Sequence, residues 1–254
     1  MNELNPTAGP IPPTIATPPR LTKTVPLGED PADREPIPGP LVAVEAILRA
    51  PRRIMYQLRQ PGSGRLILAM LMVSLLCSLI YGLVVGTFSM GTQLWAAPVK
   101  VAGGLLVTAL ICLPSLYIFT CLSGSEARLS EIFGLVAGLL MLMTILLIGF
   151  APVAWLFSQS TESVVWMGVL HLAFWFIATM FGLKFLDAGF SHSKARSSAG
   201  LYTWVIIFIL VAVQMTTALR PIVGKSDTFF PAQKKFFLSH WSDSLNAPAK
   251  PAGQ

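Results

Sequence analysis

Between Leu66 and Leu219 five apolar segments follow one another, each about as long as a bilayer crossing. A stretch of ~20 apolar residues rising 1.5 Å per residue spans the ~30 Å hydrocarbon layer. The expected fold class is therefore all-α: a polytopic membrane helical bundle of five transmembrane helices, preceded by an N-terminal amphipathic interfacial helix. The expected spans are Leu66–Phe88, Ala97–Leu122, Ile132–Phe157, Val164–Leu186 and Leu201–Leu219. Pro114 is expected to kink the second span, and Pro152 lies near the far end of the third.

Charge supports that solvent assignment. Only 12% of the residues are charged, about half the ~25% of a soluble domain. The net charge of +6 does not point to nucleic acid, because the basic residues flank the apolar segments. Cations placed there act on membrane orientation and on anionic headgroups. Cys77, Cys112 and Cys121 lie within or at the ends of apolar segments and form no CxxC pair. They read as small hydrophobes rather than as a disulfide or zinc framework. The polar start, MNELNPTAGP, is no signal peptide, so the first span is expected to act as an uncleaved anchor.

Four regions follow from composition. Residues 1–40 hold eleven of the twenty prolines and few bulky apolar side chains, so a disordered tail is expected, a tether or a docking peptide. Residues 41–65 form a basic amphipathic segment. Val44, Ile47, Leu48, Ile54, Met55 and Leu58 recur at helical spacing, and Arg49, Arg52, Arg53 and Arg59 fall largely opposite. Such a helix lies in the membrane interface or packs on the ends of the spans. Pro51 is expected to bend or divide it. Residues 66–219 are the five-span domain. Residues 220–254 carry Phe236, Phe237 and Trp241 among lysines, which suits a lipid interface, and end in a disordered stretch.

The loops set an orientation. Arginines precede the first span, and positive second and fourth loops alternate with uncharged or acidic first and third loops. The positive-inside rule then places the N-terminus in the cytoplasm and the C-terminus outside. Arg220, Lys225, Lys234 and Lys235 near the last span oppose this assignment.

Within the spans the polar residues are few. Ser74, Ser78, Gly82 and Gly86 recur every four residues, and Gly134 and Gly138 form a GxxxG pair. Small residues let helix backbones approach closely in lipid, either within the bundle or against another protein. His171 is the sole histidine inside a span, among Trp166, Phe174, Trp175 and Phe176. A neutral imidazole there could ligate haem iron or chlorophyll magnesium, or hydrogen-bond to a neighbouring helix. Lys100 is expected to snorkel outward. No Asp or Glu lies in the middle of a span, which disfavours proton relays and ion pathways. Five spans also do not divide into the two repeats common in secondary transporters. No G-x-S-x-G, HExxH, P-loop or paired carboxylates occur, and Ser123-x-x-Glu126 reads as a helix cap, so no catalytic or metal-binding residues are assigned.

The segments AILRAPRRIMYQLRQPGSGRLIL (residues 46–68), LSGSEARLSEIFGLVAGLLMLM (residues 122–143) and QMTTALRPIVG (residues 214–224) carry a family likeness. Over residues 41–224 the chain resembles the bacterial branch of the Yip family of integral membrane proteins. The resemblance implies a cytoplasmic N-terminal region followed by five spans, and brings no catalytic residues. Eukaryotic members act in vesicle traffic and bind small GTPases through cytoplasmic motifs that are not recognisable here. Together these features lead to the expectation of a non-enzymatic scaffold or accessory subunit in a bacterial inner membrane. Its expected partners are membrane lipids and other membrane subunits, without nucleic acid and without a cofactor. The alternatives are a haem- or chlorophyll-binding subunit using His171, and a transporter or channel.

Overall fold

The structure is a computed structural model that describes residues 26–89, 91, 93–160, 164–192 and 199–219. Among these residues all regular structure is helical. Seven α-helices follow a short 3-10 turn at Pro31–Arg34. Helices α1 (Pro40–Arg49) and α2 (Pro51–Leu58) are short. Helices α3 (Gly64–Ser89), α4 (Gln93–Leu122), α5 (Leu129–Ser160), α6 (Val164–Ser191) and α7 (Ala199–Ala218) are long. The five long helices are each long and apolar enough to cross a membrane. The architecture is that of a multi-pass membrane protein. Helices α4 and α5 run unbroken through Pro98, Pro114 and Pro152.

The long helices pack as a row in the order α7, α4, α3, α5, α6. Helix α5 is the hub, with 67% of its span buried, whereas α7 packs chiefly on α4 and is 22% buried. Hydrocarbon supplies no hydrophobic drive between helices, so close backbone approach must hold the row together. The small residues provide it inside the molecule. A Cβ on Gly82 would overlap the Pro98 backbone of α4. Gly138 accepts the Phe185 ring of α6, and Gly182 of α6 lies against Leu139 and Met143 of α5. Gly134 receives the Leu58 side chain of α2. Ser74 and Ser78 are buried with their hydroxyls bonded to the carbonyls of Met70 and Leu75, and Gly86 is buried beside them.

The N-terminal region differs from expectation in one way. Residues 26–39 are folded rather than tail-like, because Asp33 and the backbone of this segment bind arginines of α2. Of the two placements expected for α1 and α2, packing on the ends of the spans is seen: Ile47, Ile54, Met55 and Leu58 are buried against α3, α5 and α6, whereas Leu48 is half exposed. Pro51 does divide this segment into two helices, with the turn at Ala50 (φ −138°, ψ 63°). The expected disordered residues 1–25 and the C-terminal segment 220–254, with Phe236, Phe237 and Trp241, lie outside the described residues.

Backbone contact at Gly82 is the least forgiving of these packings. Gly82→Ala should lower bundle stability by about 1–3 kcal/mol, because neither backbone can retreat cheaply. Gly103→Ala, at a position with open space around it, should be near neutral. Melting in mild detergent distinguishes the two; equal melting temperatures would refute the packing assignment.

Candidate functional site

Two polar constellations sit at opposite ends of the bundle. At the end formed by α1 and α2, residues 26–39 make a strap. Asp33 is buried and accepts hydrogen bonds from the Arg52 guanidinium at 3.1 Å and from the Gly28 amide at 3.1 Å. Arg52 also donates to the Pro26 carbonyl, and Arg34 to the Gly28 carbonyl at 2.7 Å. Gly28 has φ +88°, and a side chain there would strike the Tyr56 ring. Arg53 pairs with the Glu35 carboxylate at 3.1 Å and donates to the Glu35 and Pro36 carbonyls, while Gln57 adds a bond to Glu35 at 2.7 Å. Arg52 and Arg53 therefore bind the chain's own strap. Arg49 is exposed and pairs with Glu45 one turn earlier, a contact worth little by itself.

Electrostatics follow this geometry. Burial alone would raise the Asp33 carboxyl, but the Arg52 and Gly28 hydrogen bonds and the Arg52 charge outweigh it and hold the group below its ordinary 3.8. His192, just beyond α6, is pushed below its ordinary 6.5 by burial and by the Arg52 and Arg59 charges, against a smaller opposing pull from Asp33.

The second constellation occupies the opposite half, where α3 ends and α4 begins. The Tyr81 hydroxyl and His171 Nδ1 are 2.8 Å apart, joining α3 to α6, with the rings edge to face at 5.7 Å. His171 Nε2 is enclosed by protein and has no partner. Whichever nitrogen carries the proton, one polar nitrogen of a neutral ring stays unsatisfied. The imidazole thus bridges two helices, and a macrocycle on Nε2 would have to displace the side chains that cover it. Phe150 and Phe174 stack at 4.7 Å nearby, between α5 and α6.

One turn along α6 from His171, Trp175 reaches a cleft between α4 and α7. The cleft has a volume of about 40 Å³ and is lined by Lys100, Gly104, Thr108, Trp175, Met215 and Thr216, with apolar neighbours completing the wall. Lys100 does not snorkel clear of the protein: it is 1% exposed. Thr108 is equally buried and its hydroxyl has no partner. The Thr216 hydroxyl donates to the Val213 carbonyl at 2.7 Å. No motif marks this cleft in the sequence; the signal was a lone lysine inside an apolar run together with Gly103-Gly104 one turn on. Among the described residues no cluster of three or more His, Cys, Asp or Glu side chains could hold a metal.

Comparison of the chain with family models, with curated proteins and with solved structures returned no match.

The strap gives a signed pH dependence. His192 binds its proton less readily in the folded chain, so stability begins to fall as pH drops through 6.5. Asp33, held low, contributes stability above 3.8 that is lost as pH falls through its depressed value. Limited proteolysis of the strap against pH should show both steps, the upper absent in His192→Gln and the lower absent in Asp33→Asn. Profiles that these substitutions leave unchanged would disprove the assignment.

Proposed function

We propose that this chain is a non-enzymatic membrane scaffold or accessory subunit that works by holding other membrane chains. The observation that supports this reading is α7. It packs chiefly on one neighbour, and Tyr202, Ile206 and Leu210 make an exposed ridge at four-residue spacing along it. The other polar features are engaged within the chain: two arginines of α2 bind the strap, the small-residue stripes seat neighbouring helices, and His171 meets Tyr81. An edge helix with a free apolar ridge is suited to a second bundle by van der Waals packing. The likeness to the bacterial Yip branch is compatible with such a role and supplies no further detail.

Purification of the full chain in mild detergent should retain another membrane chain at fixed stoichiometry. The double substitution Tyr202→Ala/Ile206→Ala should release it without changing the melting temperature. A monomer with no stoichiometric partner would overturn the proposal.

The orientation belongs to the same proposal. It comprises a bacterial inner-membrane location with strap, α1 and α2 cytoplasmic and the C-terminus outside, an orientation that the basic residues gathered at the strap end support. In a chain whose native cysteines are replaced by alanine, an impermeant maleimide should label Ser226→Cys in intact cells and miss Ser197→Cys. The reverse pattern inverts the topology.

A further inference from the structure

We propose that the outer face of α2 is a docking surface for the phosphates of anionic lipid headgroups, and that the strap is its intramolecular competitor. The same arginines hold either the strap or the bilayer surface. This inference stands independently of the scaffold role, because α7 takes no part in it.

The arginines of α2 already hold oxygens in the arrangement a phosphate presents. Arg52 faces both carboxylate oxygens of Asp33, at 3.1 and 3.5 Å, and donates to the Pro26 carbonyl at 3.1 Å. Arg53 places all three of its guanidinium nitrogens on strap oxygens, those of the Glu35 carboxylate and of the Glu35 and Pro36 carbonyls. Gln57 adds a bond to the Glu35 carbonyl at 2.7 Å. The planar guanidinium fork matches carboxylate and phosphate alike. With the strap in place the Arg53 side chain is only 13% exposed, so lipid reaches it when the strap leaves.

Charge makes the strap a mimic of an anionic surface. It carries Glu29, Asp30, Asp33 and Glu35 against Arg34 alone. Helices α1 and α2 and the turn after them carry Arg49, Arg52, Arg53 and Arg59 against Glu45 alone. Placement brings lipid within reach. Leu41, Leu48 and Arg49 of α1 are exposed and fall on one side of that helix at seven- and eight-residue spacing. Exposed leucines beside an arginine suit the interface between membrane and water. Helix α2 packs on α1 and on the ends of α5 and α6, which sets its arginines at headgroup level. Basic residues there are drawn to anionic lipid.

The strap's own hold is mostly polar. Of its apolar side chains, Leu27 and Ile37 pack against the core and both are only partly buried. A segment with so little buried apolar surface opens locally before the bundle unfolds. Phosphates on Arg52 and Arg53 then replace the strap's oxygens and leave neither guanidinium bare, while the buried Asp33 carboxylate returns to water. Departure of Gly28 also uncovers the Tyr56 ring it lies against, and tyrosine favours the interface.

The test uses the full chain with its native cysteines replaced by alanine and spin labels at Ala32→Cys in the strap and Gln60→Cys after α2. Pulsed electron paramagnetic resonance reads their separation in two kinds of nanodisc. One holds dioleoylphosphatidylcholine, whose choline offsets its phosphate charge, and the other an equimolar mixture with dioleoylphosphatidylglycerol. Phosphatidylcholine should give one short distance. Phosphatidylglycerol should raise the open population roughly tenfold, the scale expected for two arginines gaining an anionic surface. Asp33→Asn/Glu35→Gln should open the strap in both bilayers and, by native mass spectrometry in detergent, retain phosphatidylglycerol more tightly than the parent chain. Adding Arg52→Gln/Arg53→Gln should abolish that gain. The comparison between bilayers keeps the native strap and α2, so it decides even where a variant fails to fold. A strap equally closed in both bilayers, or a lipid gain that persists without the two arginines, overturns the proposal. Displacement of the strap by a synthetic peptide of residues 26–39 without any response to phosphatidylglycerol makes the face a peptide site and also overturns it.

Discussion

Helix α5 crosses a layer that gives it no reason to associate with its neighbours, yet 67% of its span is covered by them. In water the burial of Leu139, Leu140, Met143 and Leu147 would be driven by the solvent. In lipid the tails are as apolar as the side chains, so contact must come from fit. Fit is set by the positions without side chains. Gly138 admits Phe185, Gly134 admits Leu58, and Gly182 of α6 turns its bare backbone toward Leu139. On the other side of the row Gly82 brings α3 onto Pro98 of α4. The placement of α1 and α2 depends on the same device, since Leu58 reaches α5 through the Gly134 gap.

Polar groups obey the complementary constraint. Each hydroxyl or ring nitrogen in a span must find a partner locally or across a helix pair. Ser74, Ser78, Thr120 and Thr144 bond to carbonyls of their own helix and so leave packing free of them. Other bonds cross between helices instead. The Trp204 indole donates to the Cys112 carbonyl at 2.8 Å, tying α7 to α4, and Tyr81 meets His171 at 2.8 Å, tying α3 to α6. Trp204 matters most for α7, which has little other burial. Thr108 of α4 and Thr179 of α6 depart from this pattern, each with a buried hydroxyl that has no partner.

The spans were legible in the sequence because hydropathy over 20 residues is a local property. Expected and observed helices share their cores and differ at their ends, where α4 begins at Gln93 rather than near Ala97 and α5 continues to Ser160. The division at Pro51 was equally local. The strap was not legible. A proline-rich stretch lacks the apolar content to fold alone, and Asp33 meets Arg52 across 19 residues of sequence. Composition can weigh the entropy of such a segment but cannot register a specific ion pair that offsets it. His171 was legible as an oddity, but its meaning was not, because Tyr81 is 90 residues away. Lys100 was misjudged for the same reason: position along a helix suggested snorkelling, whereas its side chain is 1% exposed beside a cleft that α7 and Trp175 also line.

The two ends of the bundle place their cations differently. At the strap end Arg52 and Arg53 meet Asp33 and Glu35, four charges of which only the Asp33 carboxylate is deeply buried. These two arginines are thereby paired within the chain. At the other end Lys100 is withdrawn beside the α4–α7 cleft and is 1% exposed. Screening by salt weakens exposed charges over about 8–10 Å and reaches enclosed ones much less. One end thus uses its charge to close the chain on itself, and the other withdraws its cation from the surface.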